Sequence, residues 1–367
     1  MRRLIVPLTV LATALFAFSA VPADAGTSGH AAITITSNAG FTTCACVTSG
    51  NGTAASPYVI GPWSIAAPSG GTTGWSVKID NSGGGITDYF DIFGISSTYN
   101  DTNTTDPTIW LVDVKTPTLI SGNNADPTAG NDLGMGIELD SSANISIDNV
   151  NYNKGNGTGV YINGSTNITV NNSKLKATCV ICTPHTGDGI YAVNSSGIQI
   201  GTGSDCPNTN PCVDVTYDDG MGIWLNNTHD VVINQVSTGA NDTGGIVLDG
   251  PDTYHVTVQN TQGDGTGNIC ITFNGQKVNT GYFTDLQGGL HIINGAHDNT
   301  ITNDEFTADT GISVASGGNG FYVNECTGVT NQPFSPVEAP MGSGNTFSNI
   351  CYTNTNIASL PPSTCKS

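Results

Sequence analysis

Four aspartates that stand just before apolar segments could supply acid–base chemistry. They are Asp188, Asp218, Asp219 and Asp242. If these segments stack as strands, carboxylates on neighbouring strands lie about 5 Å apart and those on alternate strands about 10 Å apart. Such separations bracket those of retaining and inverting glycosidases, and repulsion between two carboxylates raises one pKa toward neutrality. The same oxygens could instead hold Ca²⁺, and aspartate is also a common turn residue, so three interpretations stay open.

A second set of residues alternates with apolar positions and could bind a sugar. It comprises Glu138, Tyr161, Tyr191, Trp224 and His291, each of which lies between two apolar residues. Sugar rings have apolar C–H faces that pack on aromatic rings, while phenol and indole groups also form hydrogen bonds. The three consecutive aromatics predict an exposed platform for a polysaccharide. Alternatively, loops cover these rings, or the rings pack against one another as strand-favouring residues.

Short repeats are the elements that must position both sets. Each unit begins with Gly-aliphatic-x-aliphatic and continues after a short gap with a second aliphatic-x-aliphatic pair. Units begin at Gly136, Gly159, Gly189, Gly222, Gly245, Asn268, Gly289 and Gly311, at intervals of 23, 30, 33, 23, 23, 21 and 22 residues. This period, without a helical apolar pattern, predicts a solenoid of strands. Alternation within the strands places the following residues inside: Ile137 and Leu139, Val160 and Ile162, Ile190 and Ala192.

The repeats therefore predict an all-β chain folded as a right-handed parallel β-helix of about ten coils. One domain is expected over residues 26–367. Within it, irregular coils would occupy 26–130, regular repeats 131–316, and a C-terminal cap 317–367. Such a cap would protect the edge of the last strand.

The N-terminal residues have the pattern of a secretory signal peptide. Arg2 and Arg3 precede an apolar run and the small-residue motif Ala23-Asp24-Ala25, so residues 1–25 are expected to be removed by cleavage after Ala25. No later stretch approaches the roughly 20 apolar residues of a membrane helix. The sequence predicts a secreted, cell-surface or periplasmic protein with no membrane span.

The charge balance limits the classes of partner. Two of the nine basic residues are Arg2 and Arg3, so the mature chain keeps seven lysines and no arginine. Against these stand 28 carboxylates, the 29 of the whole chain less Asp24. Nucleic acid is excluded as an expected partner because phosphate binding needs a basic surface. The same lack of basic residues argues against a basic binding site for polyanionic sugars, unless a divalent cation lies between a protein carboxylate and a sugar carboxylate.

The cysteines and histidines are the residue types most able to bind a transition metal. All ten cysteines follow the predicted cleavage site, and an even number in an exported chain favours disulfides. Cys206 and Cys212 bracket a loop that a local disulfide could close. The spacing Cys179-x-x-Cys182-x-x-His185 also fits metal ligands, although export favours disulfides there. The histidines are spread along the chain without metal-ligand spacing, so no metal site is predicted.

Over roughly residues 56–350 the repeat resembles the right-handed β-helix repeat proteins found among exported bacterial and archaeal proteins. Segments 49–53 (SGNGT) and 56–60 (SPYVI) resemble the opening of the subgroup that includes the periplasmic copper-accessory β-helix protein. The resemblance implies the fold. It leaves function open, because this scaffold carries polysaccharide hydrolases, lyases, epimerases and non-enzymatic proteins. Copper binding, implied by the subgroup, has no matching histidine pattern here.

Residues 186–258 resemble the polygalacturonase family of glycoside hydrolases. Asp188 lies where that family has an Asn-Thr-Asp-Gly element, and Asp218-Asp219 lie where it has paired aspartates. The resemblance implies that Asp188 and Asp218 activate water and that Asp219 is the general acid. The chain departs from the family at residues 241–245, which lack Gly-His-Gly, and it has no Arg-x-Lys element for a uronate carboxylate.

The leading hypothesis is thus an extracellular carbohydrate-active or polysaccharide-binding β-helix protein, with a polysaccharide or cell-envelope glycan as partner. Catalysis would be glycoside hydrolysis by paired aspartates, because the absence of arginine removes the usual lyase base. The alternative is a non-enzymatic secreted or cell-surface protein that serves structure or adhesion.

Overall fold

A computed structural model describes the chain from the first strand near residue 28 to the last near residue 352. The described residues are 28–66, 74–98, 107–125, 135–155, 157–177, 187–202, 212–215, 220–238, 244–263, 272–273, 276–277, 288–293, 295–302, 305–306, 310–314, 344–348 and 351–352. Residues 1–27 fall outside them, so the signal peptide stays a prediction.

Three long sheets wind around one axis, and we number them by their first strands. The first sheet contains β1 (Ser28–His30), β5 (Trp63–Ala66), β8 (Ile95–Thr98), β11 (Asn124–Ala125), β14 (Asn151–Gly155), β17 (Ser173–Ala177), β20 (Val213–Asp214), β23 (Val236–Ser237), β26 (Gln262–Gly263), β31 (Glu305–Phe306) and β34 (Cys351–Tyr352).

The second sheet carries the Gly-aliphatic-x-aliphatic segments. It contains β2 (Ile33–Ile35), β6 (Val77–Asp80), β9 (Pro107–Val112), β12 (Met135–Asp140), β15 (Val160–Asn163), β18 (Ile190–Val193), β21 (Met221–Asn226), β24 (Gly244–Asp249), β29 (Gly288–Ile293) and β32 (Thr310–Val314).

The third sheet carries the second apolar pair of each repeat. It contains β3 (Val47–Ser49), β4 (Tyr58–Ile60), β7 (Phe90–Phe93), β10 (Thr118–Ser121), β13 (Ala143–Asp148), β16 (Thr166–Asn171), β19 (Ser196–Ile200), β22 (Val231–Asn234), β25 (Val256–Gln259), β30 (Thr300–Thr302) and β33 (Thr346–Ser348).

The topology confirms the predicted right-handed parallel β-helix. From β4 to β23 each strand pairs with the strand three positions on, and within the three long sheets neighbours are parallel except β3 with β4. Parallel crossover connections of this kind are right-handed. The ten strands of the second sheet match the expected coil number. A helix, α1 (Asn38–Thr43), lies in the first coil and buries Phe41.

One predicted coil is wrong. The repeat pattern predicts a unit at Asn268, between those at Gly245 and Gly289, and Asn268 itself lies outside the described residues. Val247 instead pairs directly with His291, so β29 follows β24 in the second sheet. The intervening chain contains a small antiparallel pair, β27 (Thr272–Phe273) with β28 (Gln276–Lys277). Because β24 and β29 pair directly, no further strand of the second sheet lies between them.

The core is an apolar column inside the coils. The six residues predicted to lie inside are all at most 2% exposed: Ile137, Leu139, Val160, Ile162, Ile190 and Ala192. Their neighbours in the strands point outward, so the sequence of the second sheet alternates between core and surface. This alternation gives the sheet an outer face on which one residue per coil is stacked above the next.

Buried hydroxyl groups form a second column at the turn between the second and third sheets. The residues are Ser142, Ser165, Ser195, Thr228 and Thr253, all at most 2% exposed. Each hydroxyl accepts the backbone N–H of its counterpart one coil earlier, as Ser165 Oγ does from Ser142 N at 2.9 Å. The column satisfies backbone donors that the sheets leave unpaired at this corner.

Candidate functional site

The outer face of the second sheet contains the column predicted from the repeats. Glu138 pairs with Tyr161, Tyr161 with Tyr191, and Tyr191 with Trp224. The predicted register is therefore confirmed. His291 continues the column beyond Val247 by its backbone position, and its side chain lies outside the described part of the structure.

The expectation that the three aromatics form an exposed platform is wrong. Tyr191 is 9% exposed and Trp224 is 2% exposed. The ring centroids of Tyr161 and Tyr191 are 5.4 Å apart, and those of Tyr191 and Trp224 are 5.5 Å apart. Because the strands stack these rings on one another, their faces are occupied by neighbouring rings. Met221 and Val247 complete a small apolar cluster around them.

Trp224 is held by polar groups as well as by packing. Its indole Nε1 donates to Oδ2 of Asp249 at 3.2 Å, and Asn226 Nδ2 donates to the same oxygen at 3.0 Å. Asp249 is 3% exposed, so this carboxylate belongs to the buried part of the outer face. The contacts make Trp224 a structural residue.

Tyr161 and Glu138 are the half-buried members of the predicted column. Burial raises the pKa of Tyr161, and the carboxylates of Asp140 and Glu138 raise it further. The phenol therefore stays protonated and can donate a hydrogen bond at any physiological pH. These two residues and Asp140 form a polar region at the rim of the aromatic stack.

Asp188 lies just before β18 and is 2% exposed. Its Oδ1 accepts the backbone N–H of Met221 at 2.7 Å, whereas its buried Oδ2 has no hydrogen-bond partner among the described residues. Desolvation by burial raises the pKa of Asp188 to about 7, although the bond from Met221 opposes this shift. A carboxyl group in this state can hold or release a proton near neutral pH.

The structure does not test the positions of the other three predicted acids. Asp218, Asp219 and Asp242 lie outside the described residues. In the coil before Asp188, the corresponding residue is the buried Thr158, and in the coil after it the corresponding residue is Met221. Within the described residues, therefore, Asp188 has no carboxylate stacked directly on it. The proposed pairing of acids stays a prediction.

A cluster that was not predicted from the sequence lies on the same outer face, closer to the N-terminus. We call it the tryptophan patch and define it as Trp75, Lys78, Trp110 and Asp140. The two indoles meet edge to face with centroids 5.7 Å apart. The Lys78 ammonium lies 3.9 Å from the Trp110 ring centroid and 5.1 Å from that of Trp75. All four side chains are half-buried, so the patch contacts solvent.

The tryptophan patch is fixed by hydrogen bonds and an ion pair. Trp110 Nε1 donates to Asp140 Oδ2 at 2.8 Å, and Asn163 Nδ2 donates to Asp140 Oδ1 at 3.0 Å. Lys78 Nζ lies 3.2 Å from Asp80 Oδ2. Trp110 pairs with Glu138 and so belongs to the same column as Tyr161. The sequence signal was present, because Trp110 lies between Ile109 and Leu111, but the irregular interval to Glu138 hid the register.

Histidines from three consecutive coils meet at the turn before the third sheet. The rings of His229 and Tyr254 stack with centroids 4.7 Å apart, and Tyr254 and His297 stack at 5.5 Å. Asp230 accepts from His229 at 2.9 Å and lies 3.2 Å from His255, and these bonds lower its pKa. Sequence spacing alone did not predict this grouping.

Among the described residues, no group of three or more His, Cys, Asp or Glu side chains could hold a metal ion.

Three cysteines among the described residues are disulfide-bonded. Cys44 and Cys46 form a disulfide, and Cys212 is also disulfide-bonded. Cys179, Cys182 and Cys206 lie outside the described residues, so the predictions made for them are untested.

Comparisons with known proteins identify neighbours at low similarity. No protein-family model matches the chain, and no curated protein matches its sequence. Among solved structures, pectate lyase Pel9A is similar with a TM-score of 0.46 and 12% identity, covering 90% of this chain and 80% of that one. Tailspike protein 2 of bacteriophage CBA120 gives a TM-score of 0.39 and 14% identity, covering 83% of this chain and 48% of that one.

The tailspike protein of E. coli bacteriophage HK620, solved in complex with a pentasaccharide, gives a TM-score of 0.29 and 9% identity. The match covers 80% of this chain and 56% of that one, so the chain spans about half the length of the two tailspike chains. None of these findings supports the resemblance to the copper-accessory subgroup. Separately, no helix among the described residues is long and apolar enough to cross a membrane.

Proposed function

We propose that this protein binds a polysaccharide on the outer face of the second sheet, with the tryptophan patch as the principal contact surface. The observation that carries the proposal is the pair of solvent-contacting indoles, Trp75 and Trp110, set beside the carboxylates of Asp80 and Asp140. Export, which the N-terminal sequence predicts, would place this surface among extracellular or cell-envelope glycans.

Recognition would combine stacking with hydrogen bonds. A pyranose ring can lay its C–H face on an indole edge or face while its hydroxyl groups donate to carboxylate oxygens. Asp140 is prepared for this role because Trp110 and Asn163 fix its orientation from two sides. Glu138 and Tyr161 extend the same surface by one and two coils. A surface held in place before binding loses little conformational entropy when a ligand arrives.

The proposal is tested by measuring affinity for soluble polysaccharides by affinity electrophoresis and calorimetry. Trp75→Ala and Trp110→Ala should each weaken binding by about 1–3 kcal/mol, from the apolar area and aromatic contact they remove. Trp63→Ala is the matched control, because Trp63 lies in the first sheet and donates to the backbone of Cys46. Equal affinity of the parent and both patch variants for every ligand bound, or no binding to a broad polymer panel, would refute the proposal.

Glycoside hydrolysis is a second candidate, favoured by the protonation state of Asp188. Its buried Oδ2 and a pKa of about 7 supply a proton near neutrality, as a general acid requires. Asp218, Asp219 and Asp242 remain proposed partners. If this candidate is correct, the purified protein cleaves at least one polymer that it binds, and Asp188→Asn lowers the turnover by roughly 10²-fold or more. Binding without cleavage would leave the non-enzymatic surface or adhesion role as the function.

A further inference from the structure

We infer that the ligand of this face is a neutral polysaccharide, not a uronic-acid polymer. The inference rests on the proposed function, and it specifies the chemical class of the ligand at the same surface. It is carried by the distribution of charge around the tryptophan patch.

The outer face of the second sheet is negatively charged. Among its described outward side chains near the tryptophan patch, the carboxylates are Asp80, Glu138 and Asp140. The ammonium of Lys78 is the single basic group among the same side chains. One positive and three negative charges give a net charge of −2 in this region, in a chain whose total is −20.

Lys78 is already engaged and has little capacity left for an anionic ligand. Its ammonium is paired with Asp80 at 3.2 Å, lies over both indoles, and belongs to a side chain that is only 16% exposed. A uronate carboxylate approaching it would have to compete with Asp80, which is held on the same strand two residues away.

The remaining groups suit hydroxyl groups. Carboxylates accept hydrogen bonds from O–H donors, and the half-buried setting of Asp80 and Asp140 makes their charge less screened than that of a fully exposed acid. Each uronate would add a negative charge within a Debye length of two or more carboxylates. Neutral sugars provide the donors without that repulsion. The structure thus favours hexose or pentose polymers over pectin- or alginate-like chains.

The experiment compares neutral polymers, such as galactomannan, xyloglucan and dextran, with polygalacturonate and alginate by calorimetry at low and high NaCl concentration. A chelator is present, and a parallel series contains CaCl₂. We expect at least one neutral polymer to bind with an affinity that NaCl hardly changes, and uronate polymers to bind roughly tenfold or more weakly at low salt. Preferential binding of a uronate polymer, with or without calcium, would overturn the inference while leaving polysaccharide binding intact. No binding to either class would refute the proposed function itself.

A charge variant sharpens the comparison. Asp80→Asn releases Lys78 from its ion pair and reduces the net negative charge of the outer face beside the tryptophan patch. The ratio of uronate affinity to neutral-polymer affinity should therefore rise several-fold, and the gain should disappear at high salt. Asp214→Asn is the matched control, because it breaks the ion pair of Asp214 with Lys176 in the first sheet, 3.4 Å apart, away from this face. An unchanged ratio in a folded Asp80→Asn protein would show that charge at the patch does not set ligand class.

Discussion

The indole of Trp110 donates to the carboxylate of Asp140 on the next coil, diagonally across β9 and β12. Trp224 and Asp249 repeat the same diagonal across β21 and β24. In both pairs the aspartate follows the direct partner of the tryptophan by two residues, so both side chains lie on the outer face. Trp110 and Asp140 are half-buried, whereas Trp224 and Asp249 are buried. The same hydrogen bond therefore occurs once at the protein surface and once in a buried cluster.

Coupling between Trp110 and Asp140 should be measurable in a double-mutant cycle. Trp110→Phe keeps an aromatic ring but removes the N–H donor, and Asp140→Ala removes the acceptor. We expect a coupling free energy of about 0.5–1.5 kcal/mol, the usual net contribution of a hydrogen bond. Urea unfolding of the parent, both single variants and the double variant measures it. Strictly additive effects would mean that the bond contributes nothing to stability in solution.

Trp224→Ala should act on stability more than on binding. Removing a buried indole leaves a cavity and takes a donor from Asp249, so we expect a loss of roughly 3–5 kcal/mol. Trp224→Phe, which preserves stacking on Tyr191, should lose less. Thermal and urea unfolding provide the measurement. If Trp224→Ala were as stable as the parent, the burial described for this residue would be wrong.

The free energy of unfolding should fall as the pH rises from about 4 to 7, because the folded protein keeps Asp188 protonated over this range. Its folded pKa of about 7 lies above the ordinary value of 3.8 that applies to the unfolded chain. Between these values the folded state binds more protons, so the free energy of unfolding falls with increasing pH and then levels off. Asp188→Asn keeps an oxygen for the N–H of Met221 but removes the titration. The stability difference between parent and variant, measured from pH 4 to 8, should therefore change in favour of the variant. If the free energies of unfolding of the parent and the variant changed in parallel with pH, the raised pKa of Asp188 would be wrong.

Gly220→Ala should disturb Asp188 directly. A Cβ at Gly220 would lie 2.3 Å from Asp188 Oδ1 and 2.9 Å from its backbone nitrogen. We expect a loss of about 1–3 kcal/mol, since this crowded site must shift to accept a methyl group. Gly83→Ala is the matched control, because a Cβ there would meet nothing within 4 Å. Equal melting temperatures for the two variants would argue against the close approach.

Ser165 tests the buried hydroxyl column. Ser165→Ala leaves the backbone N–H of Ser142 without its 2.9 Å acceptor, and burying such a donor costs about 1–3 kcal/mol. Ser165→Thr should retain most of the stability, since Thr228 and Thr253 occupy the equivalent position in later coils. The comparison needs only unfolding curves of three proteins. Equal destabilisation by alanine and threonine would point to packing instead of hydrogen bonding.

The fold was predictable because the core repeats at short range. Each Gly-aliphatic-x-aliphatic unit fixes which side chains enter the coil, so Ile137, Leu139 and their counterparts could be placed inside correctly. The same alternation gave the register of Glu138, Tyr161, Tyr191 and Trp224. It failed between Gly245 and Gly289, because an apolar pattern cannot show whether a segment forms a coil of the solenoid.

The site was less predictable because exposure depends on neighbours that are distant in sequence. Nothing local to Trp224 shows that Tyr191 will cover one side of its ring or that Asp249 will bind its N–H. Trp110 and Asp140 were missed for a related reason, since the interval between their coils departs from the base period. The burial of Asp188 depends on Met221, 33 residues later, which only the closed coil brings within 2.7 Å.

The parallel sheets also make the mechanical resistance of the molecule depend on the direction of the applied force. In every sheet the backbone hydrogen bonds between coils run along the solenoid axis, while the covalent chain winds around it. Tension applied along that axis loads the interfaces between coils in series, so the weakest interface yields first and the others stay closed. A load applied across the axis is shared by the strands of many coils at once. The hydrogen bonds between coils, and not the covalent chain, should therefore set the axial force at which the solenoid yields.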